Sequence, residues 1–245
     1  MNAVLLLLLD SRAPAGAHHH SGGMEVAVST GLVAGIPDVE QFCHARLRTS
    51  GRVAAAFAAA ACLLQRGPAA GRHPARPPDR QPADGPGLAR QWALLDAELD
   101  ARTPSEATRA ASRQLGGGLR RLLRSLLPDA DLVTPWARCG PPAPHHPLVL
   151  GAGVALAGGT PELAARAAAL AACASPASAA VRLLGLDPLA VQAMLARLAP
   201  DIDDCAGLAA RSAASPARSL PCQGAPALDL LADFHLTAEV RLFAS

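Results

Sequence analysis

Apolar residues recur along this chain at helical rather than strand spacing. A short apolar run, Val4–Leu9, stops at Asp10, and Ala13-Pro14-Ala15-Gly16 then places Pro and Gly where a type I turn prefers them. Met24 and Glu25 open a second helical stretch, with Ser21 or Gly22 the expected cap and Glu25 the carboxylate that meets the positive end of the helix dipole. Pro37 suits the first turn of a helix running through Leu47, and Val53–Leu64 reads as an alanine-rich buried helix. At Thr103-Pro104-Ser105-Glu106 the expected N-cap is Thr103, with Pro104 at the first helical position and Glu106 completing a capping box. Beyond it Ala107, Ala111, Leu115, Leu119, Leu122 and Leu126 recur in steps of three and four, and Arg113, Arg120, Arg121 and Arg124 fall on the other side. Gly116, Gly117 and Gly118 interrupt this stripe at a cost of about 1 kcal/mol each relative to alanine, which predicts close packing or a break.

A capping residue followed by Pro recurs at Thr160-Pro161, Ser175-Pro176 and Asp187-Pro188, predicting three more helix starts. From about Pro226, Leu228, Leu231, His235, Ala238 and Leu242 share one face. No stretch shows strand alternation with hairpin turns. The expectation is an all-α single domain spanning residues 1–245, a bundle of roughly ten helices without internal repeats.

Composition sharpens this picture. Hydrophobic residues make up 51% of the 245 residues but aromatics only 2%, with no Tyr, so the core must be built from Ala, Leu and Val. Alanine favours helices, whereas strands draw on the β-branched and aromatic residues scarce here. The 22 basic residues against 20 acidic are all arginine. Without a basic surplus or interleaved aromatics, a nucleic-acid partner is not expected. Without lysine there is no P-loop and no lysine Schiff base. The six cysteines are far apart, with no C-x-x-C, and neither a secretory signal nor an apolar run of roughly 18 residues stands out. A cytoplasmic protein with mostly buried, reduced thiols and no membrane association is the expectation.

The wording of several stretches adds more. D-S-x-x-P-x-G-A-x-x-H-S-G-G-x-E, from Asp10 to Glu25, resembles the N-terminal signature of the urease accessory protein F (UreF) family. R-A-A-S-R-Q-L-G-G-G-L, Arg109 to Leu119, resembles that family's R-x-x-S-x-x-x-G-x-x-L. His146-Pro147 before a Gly-containing apolar helix, A-A-V-R-L-L-G-L-D-P from Ala179 to Pro188, and the closing H-L-T-A-E-V-R-L-F-A-S from His235 to Ser245 are similar to its later blocks. Departures occur where the family often has a P-L-G-Q run, here Leu186-Asp187-Pro188, and near the C-terminus, where Leu236 and Glu239 stand in place of a common Glu and Tyr. The resemblance implies an all-helical, dimeric, non-enzymatic protein that bridges a D/H-type urease accessory protein and the G-type GTPase. The complex then delivers nickel to apo-urease as the G protein hydrolyses GTP, and no cofactor is bound stably by this chain.

Candidate partner-binding residues under that resemblance are Glu25, Arg182, Phe234, His235, Thr237, Arg241 and Phe243. Three of them have a plainer explanation: Glu25 and Arg241 complement helix dipoles, and Arg182 suits a solvated or snorkelling side chain. His18, His19 and His20 could hold nickel directly, since neutral imidazole suits that metal, but adjacent histidines on one short segment converge poorly. A direct nickel carrier is therefore the alternative function. A helical hydrolase using Cys or Ser with His and Asp has only the presence of those residue types in its favour.

Gly67 to Gly87 is dense in Pro, Gly and Arg and has little to bury, so a flexible loop is expected there. Replacing it with a short Gly/Ser linker is expected to leave urease activation in cells unchanged. Lost activation in a still-soluble variant would show that the segment has a role of its own.

Overall fold

The computed structural model describes residues 3–10, 21–67, 85–130, 136 and 143–237. These residues are helical throughout their ordered elements, with no strand among them. The α-helical segments are α1 (Ala3–Leu9), α2 (Met24–Ser29), α3 (Ile36–Arg46), α4 (Arg52–Arg66), α5 (Gly85–Ala101), α6 (Glu106–Leu126), α7 (His146–Leu156), α8 (Pro161–Leu184), α9 (Pro188–Arg197), α10 (Ala199–Ser212) and α11 (Pro226–Thr237). A π-helical turn, Leu47–Gly51, joins α3 to α4, so the two form one bent rod, and a 3-10 turn, Ala217–Ser219, precedes α11. The all-α expectation holds. The end of the expected loop does not: Gly85 to Gly87 already belong to α5, while residues 68–84 lie outside the described residues.

Helix α4 is the axis of the bundle, packed most extensively on α7 and α8 and then on α10. Its buried face is Val53, Ala55, Ala56, Phe57, Ala58, Ala59, Ala60, Ala61 and Cys62. Side chains this small fill space only if the backbones come close, since dispersion falls off steeply with separation. Gly151 of α7 makes that possible. A Cβ there would sit 2.1 Å from the Ala58 carbonyl oxygen and 2.9 Å from both Ala61 Cβ and Cys62 N. Gly51, at the bend, is similarly pinned, its virtual Cβ 3.0 Å from Ala172 Cβ of α8. The stretches Ile36–Arg66 and Pro161–Leu184 have the length and apolarity of membrane spans, but their buried faces are alanine packed on alanine inside the bundle.

Several helix starts fall where the sequence places them. Thr160 Oγ1 accepts from the Leu163 N–H at 3.3 Å, and Asp187 Oδ1 from the Leu189 N–H at 3.0 Å, each followed by Pro at the first helical position. Three differ. Helix α6 is capped by Ser105, not Thr103: Ser105 Oγ accepts from the Thr108 N–H at 3.1 Å, while Thr103 Oγ1 donates back to the Leu99 carbonyl at the end of α5. Ser105 wins because Asp233 of α11 also fixes its hydroxyl, at 2.6 Å. The start of α2 is Gly23, at φ +89°, rather than Ser21 or Gly22. Ser175-Pro176 starts no helix at all; Pro176 lies inside α8.

Proline inside a helix leaves the carbonyl four residues earlier without its N–H. Here that carbonyl belongs to Ala172, and the Arg46 guanidinium of α3 supplies the missing donor, Nε to oxygen 3.1 Å. The other end of the same side chain donates to the Gly22 carbonyl, Nη1 to oxygen 2.7 Å. One arginine therefore repairs α8 and holds down the entry to α2. The lost hydrogen bond that should end α8 is replaced from outside the helix.

Gly151→Ala is expected to destabilise the fold by about 3 kcal/mol, because its methyl meets backbone that cannot step aside. Gly207→Ala in α10, whose virtual Cβ meets only the mobile end of Arg211 at 3.4 Å, is expected to be neutral or stabilising by up to about 1 kcal/mol. Urea unfolding of the two variants checks the contrast.

Candidate functional site

The predicted docking residues divide between a corner of the bundle and segments outside the described residues. Helix α2 packs on α8 and on α11, and Gly23 stands 3.9 Å, as a virtual Cβ, from Leu231 Cβ. Gly22 and Gly23 both take positive φ, 61° and 89°, which turns the chain so that the Gly22 carbonyl meets Arg46. Glu25 is half-buried in the first turn of α2. In α11, Leu228 and Leu231 pack inward and Ala232 is buried, while Leu230 (58% exposed) and Phe234 (63%) face outward at a spacing of four. His235 and Thr237 continue α11. Arg182 is exposed in the last turn of α8. Arg241, Phe243 and the His18, His19, His20 run lie outside the described residues. Among the described residues no three His, Cys, Asp or Glu side chains group as a metal site.

A second constellation escaped the sequence reading. His145, beside the N-terminus of α7, is 0% exposed. Its Nε2 lies 3.0 Å from Asp100 Oδ1 of α5, and its Nδ1 lies 3.0 Å from Ser112 Oγ of α6. A carboxylate can only accept, so Nε2 carries the proton and Nδ1 accepts from the Ser112 hydroxyl. Ser112 Oγ also accepts from the His146 N–H at 3.3 Å. Arg113 bridges both acids, Nη1 to Asp96 Oδ2 3.1 Å and Nη2 to Asp100 Oδ1 2.6 Å, and it donates to the Ala143 carbonyl at 2.9 Å. The His145 N–H donates to Asp96 Oδ1 at 3.3 Å.

Asp100, His145 and Ser112 thus stand in hydrogen-bonded series like a hydrolytic triad. The serine is not a nucleophile in waiting. Its oxygen also takes the His146 N–H, and residues 143–146 cover the helix face it occupies. What the network does is fasten this extended segment between α5 and α6. Gly116 shows how tightly: a Cβ there would lie 2.0 Å from the Pro144 carbonyl oxygen. The glycines of α6 therefore mark close packing, not a break.

Burial, reinforced by the charge of Arg113, holds the His145 imidazole below its usual range despite the opposing pull of Asp96 and Asp100. For Asp100, burial works against the charged form, but hydrogen bonds from Arg113 and His145 outweigh it and leave the carboxyl below its usual value.

The profile of the UreF family matches residues 33–199. The chain belongs to the UreF family. It is 41% identical over 243 residues to the urease accessory protein UreF of Mycobacterium marinum, covering 99% of this chain and 98% of that one. It is 42% identical over 245 residues to the protein of the same name from Mycolicibacterium vanbaalenii, with the same coverage. The Mycobacterium tuberculosis protein of that name is 38% identical over 245 residues, again across 99% and 98%. The UreF-like block R-x-x-S-x-x-x-G-x-x-L now has a physical reading. Arg109 Nη1 holds the Thr103 and Pro104 carbonyls at 2.7 Å each, Ser112 anchors His145 and His146, Gly116 admits Pro144, and Leu119 enters the core. In this UreF chain that block and the His146-Pro147 block are two halves of one joint.

Because the folded protein holds His145 neutral, the unfolded chain binds more protons below the ordinary histidine value of 6.5, and stability falls as pH drops through that value. Asp100, depressed instead, loses its contribution only below 3.8. Urea midpoints measured across this range are expected to decline from 6.5 downward in the wild type. His145→Gln is expected to be less stable at neutral pH, with that first decline flattened.

Proposed function

We propose that this chain acts in urease maturation as a non-enzymatic scaffold in the cytoplasm. It bridges the D/H-type accessory protein and the G-type GTPase, so that nickel passes to apo-urease while the G protein hydrolyses GTP. It works as a homodimer, with nickel and nucleotide handled by the complex rather than held by this chain. The full-length likeness to proteins named urease accessory protein supports the setting.

The observation that carries the docking role is the outer face of α11. Leu230 and Phe234 are exposed on a helix that Leu228, Leu231 and Ala232 attach to the bundle. In the sequence, Thr237 and Arg241 follow Phe234 at steps of three and four, with Phe243 just beyond. Aromatic and arginine side chains concentrate the energy of protein interfaces. The D/H-type protein is the partner assigned to this face, with Glu25 beside it on α2 and Arg182 on α8 as further contacts.

Phe234→Ala and Arg241→Ala are each expected to weaken capture of the D/H-type protein by about 2 kcal/mol or more, roughly a thirtyfold loss in affinity. Circular dichroism and size-exclusion chromatography should show both variants folded like the wild type. Co-purification at wild-type yield under dilute conditions would remove the docking assignment.

A further inference from the structure

Cys43 of α3 and Cys173 of α8 are both fully buried, and they face each other across the joint that Arg46 holds. Cys43 Sγ lies 3.5 Å from the Cys173 carbonyl oxygen, and Cys173 Sγ lies 3.7 Å from the Cys43 carbonyl oxygen. Such reciprocal contacts require the two residues to stand side by side with their thiols between them. Neither is oxidised; both are free cysteines. The neighbourhood treats the two sulfurs differently. The hydrogen bond between the thiols pushes Cys43 up and Cys173 down, and the Arg46 guanidinium, bonded to the carbonyl of Ala172, adds to the lowering of Cys173. At Cys62 and Cys205 burial outweighs the opposing pull of Arg66 and Arg52, pushing Cys62 up to about 12 and raising Cys205 as well. The two sulfurs are thus unequal, Cys173 the more acidic of the pair, which suits it as the attacking and Cys43 as the resolving cysteine.

We propose that Cys43 and Cys173 are a peroxide-responsive dithiol whose oxidation staples α3 to α8 beneath the Gly22–Arg46 corner. The Cys173 sulfur attacks hydrogen peroxide, an S–O bond forms as the O–O bond breaks, and the released hydroxide takes up the thiol proton as water. The Cys43 sulfur then attacks Cys173, the S–S bond forms, the S–O bond breaks, and hydroxide leaves with the Cys43 proton as a second water. Two thiols lose two electrons in all, and one peroxide is reduced to two waters. Both sulfurs are shielded, so peroxide reaches them through local opening of the corner, and the exposed Cys222 reacts first. The disulfide spans 130 residues of chain and ties the rod α3–α4 to α8, which carries the internal Pro176. This proposal does not rest on the docking role.

The test treats the full chain with excess hydrogen peroxide, alkylates the remaining thiols and maps the digest by mass spectrometry. A Cys43–Cys173 linked peptide pair, lighter by two hydrogens than the reduced pair and reversed by dithiothreitol, is expected. The oxidised chain should also unfold at least about 5 °C higher, because closing a long loop restricts the unfolded state. Cys43→Ala should abolish both the link and the thermal shift, and Cys222→Ser should leave both in place. Recovery of both thiols in alkylated form, linkage of either to another cysteine, or sulfinic acid at Cys173 without a link would overturn the proposal; all three are read on the wild-type chain and need no variant to fold.

Discussion

The approach of the α7 backbone to that of α4, at Gly151 and Ala58, is the constraint around which the bundle is arranged. A core with so few aromatic rings cannot fill space from a distance. Alanine reaches barely beyond its own backbone, so cohesion requires helices near contact, and a methyl group at Gly151 would already collide with a carbonyl. The same rule repeats outward from α4. Gly51 lets α8 close on the bend, Gly153 admits Leu123 of α6, and Gly116 admits the segment leading into α7. Each small residue fixes the register of the element that meets it. Aligned this way, the helices have one way to pack.

Close packing creates backbone groups with nowhere to turn, and arginine answers most of them. Arg46 serves the carbonyl that Pro176 orphans. Arg66 reaches the Gly159 carbonyl after α7. Arg102, lying over the Phe57 ring at 5.4 Å, donates to Glu98 at the end of α5 and to the carbonyls of Pro221 at 3.1 Å and Arg218 at 3.0 Å, tying down the approach to α11. A guanidinium presents several donors in fixed directions, which suits bridging two or three carbonyls at once; an ammonium would not hold them in the same geometry. An all-arginine basic complement is therefore matched to this architecture.

The helices themselves were legible because their signals are local. Thr160 and Asp187 cap the helices that follow them through side-chain contacts two or three residues long, and α6 runs on through the three glycines that interrupt its apolar stripe. The failures arose where a distant residue decided the outcome. Ser175-Pro176 carries a sound start signal, and only Arg46, far away in sequence, lets the helix run through it. Thr103 and Ser105 are equivalent caps until Asp233 selects one. His145 gave no local signal, since its partners Asp100 and Ser112 come from two other helices. The family-like block from Arg109 to Leu119 was legible as wording, but its meaning as a socket for residues 143–146 needed the third dimension. The proposed docking face was legible in part: the outward Phe234 follows from helical spacing, whereas the attachment of α11 through Asp233 does not.

The scarcity of aromatic residues also gives the molecule a narrow optical window on itself. There is no tyrosine, and the only two tryptophans, Trp92 of α5 and Trp136, meet edge to face with ring centroids 6.2 Å apart and planes at 85°. Essentially all intrinsic ultraviolet emission therefore comes from one contact. That contact belongs to α5 and the stretch leading toward the His145 joint, and neither ring lies on α2, α8 or α11. Emission from this protein reports the seating of Trp136 on α5 and comes from no ring on α2, α8 or α11, so a silent fluorescence trace on mixing says nothing about contacts made by those three helices.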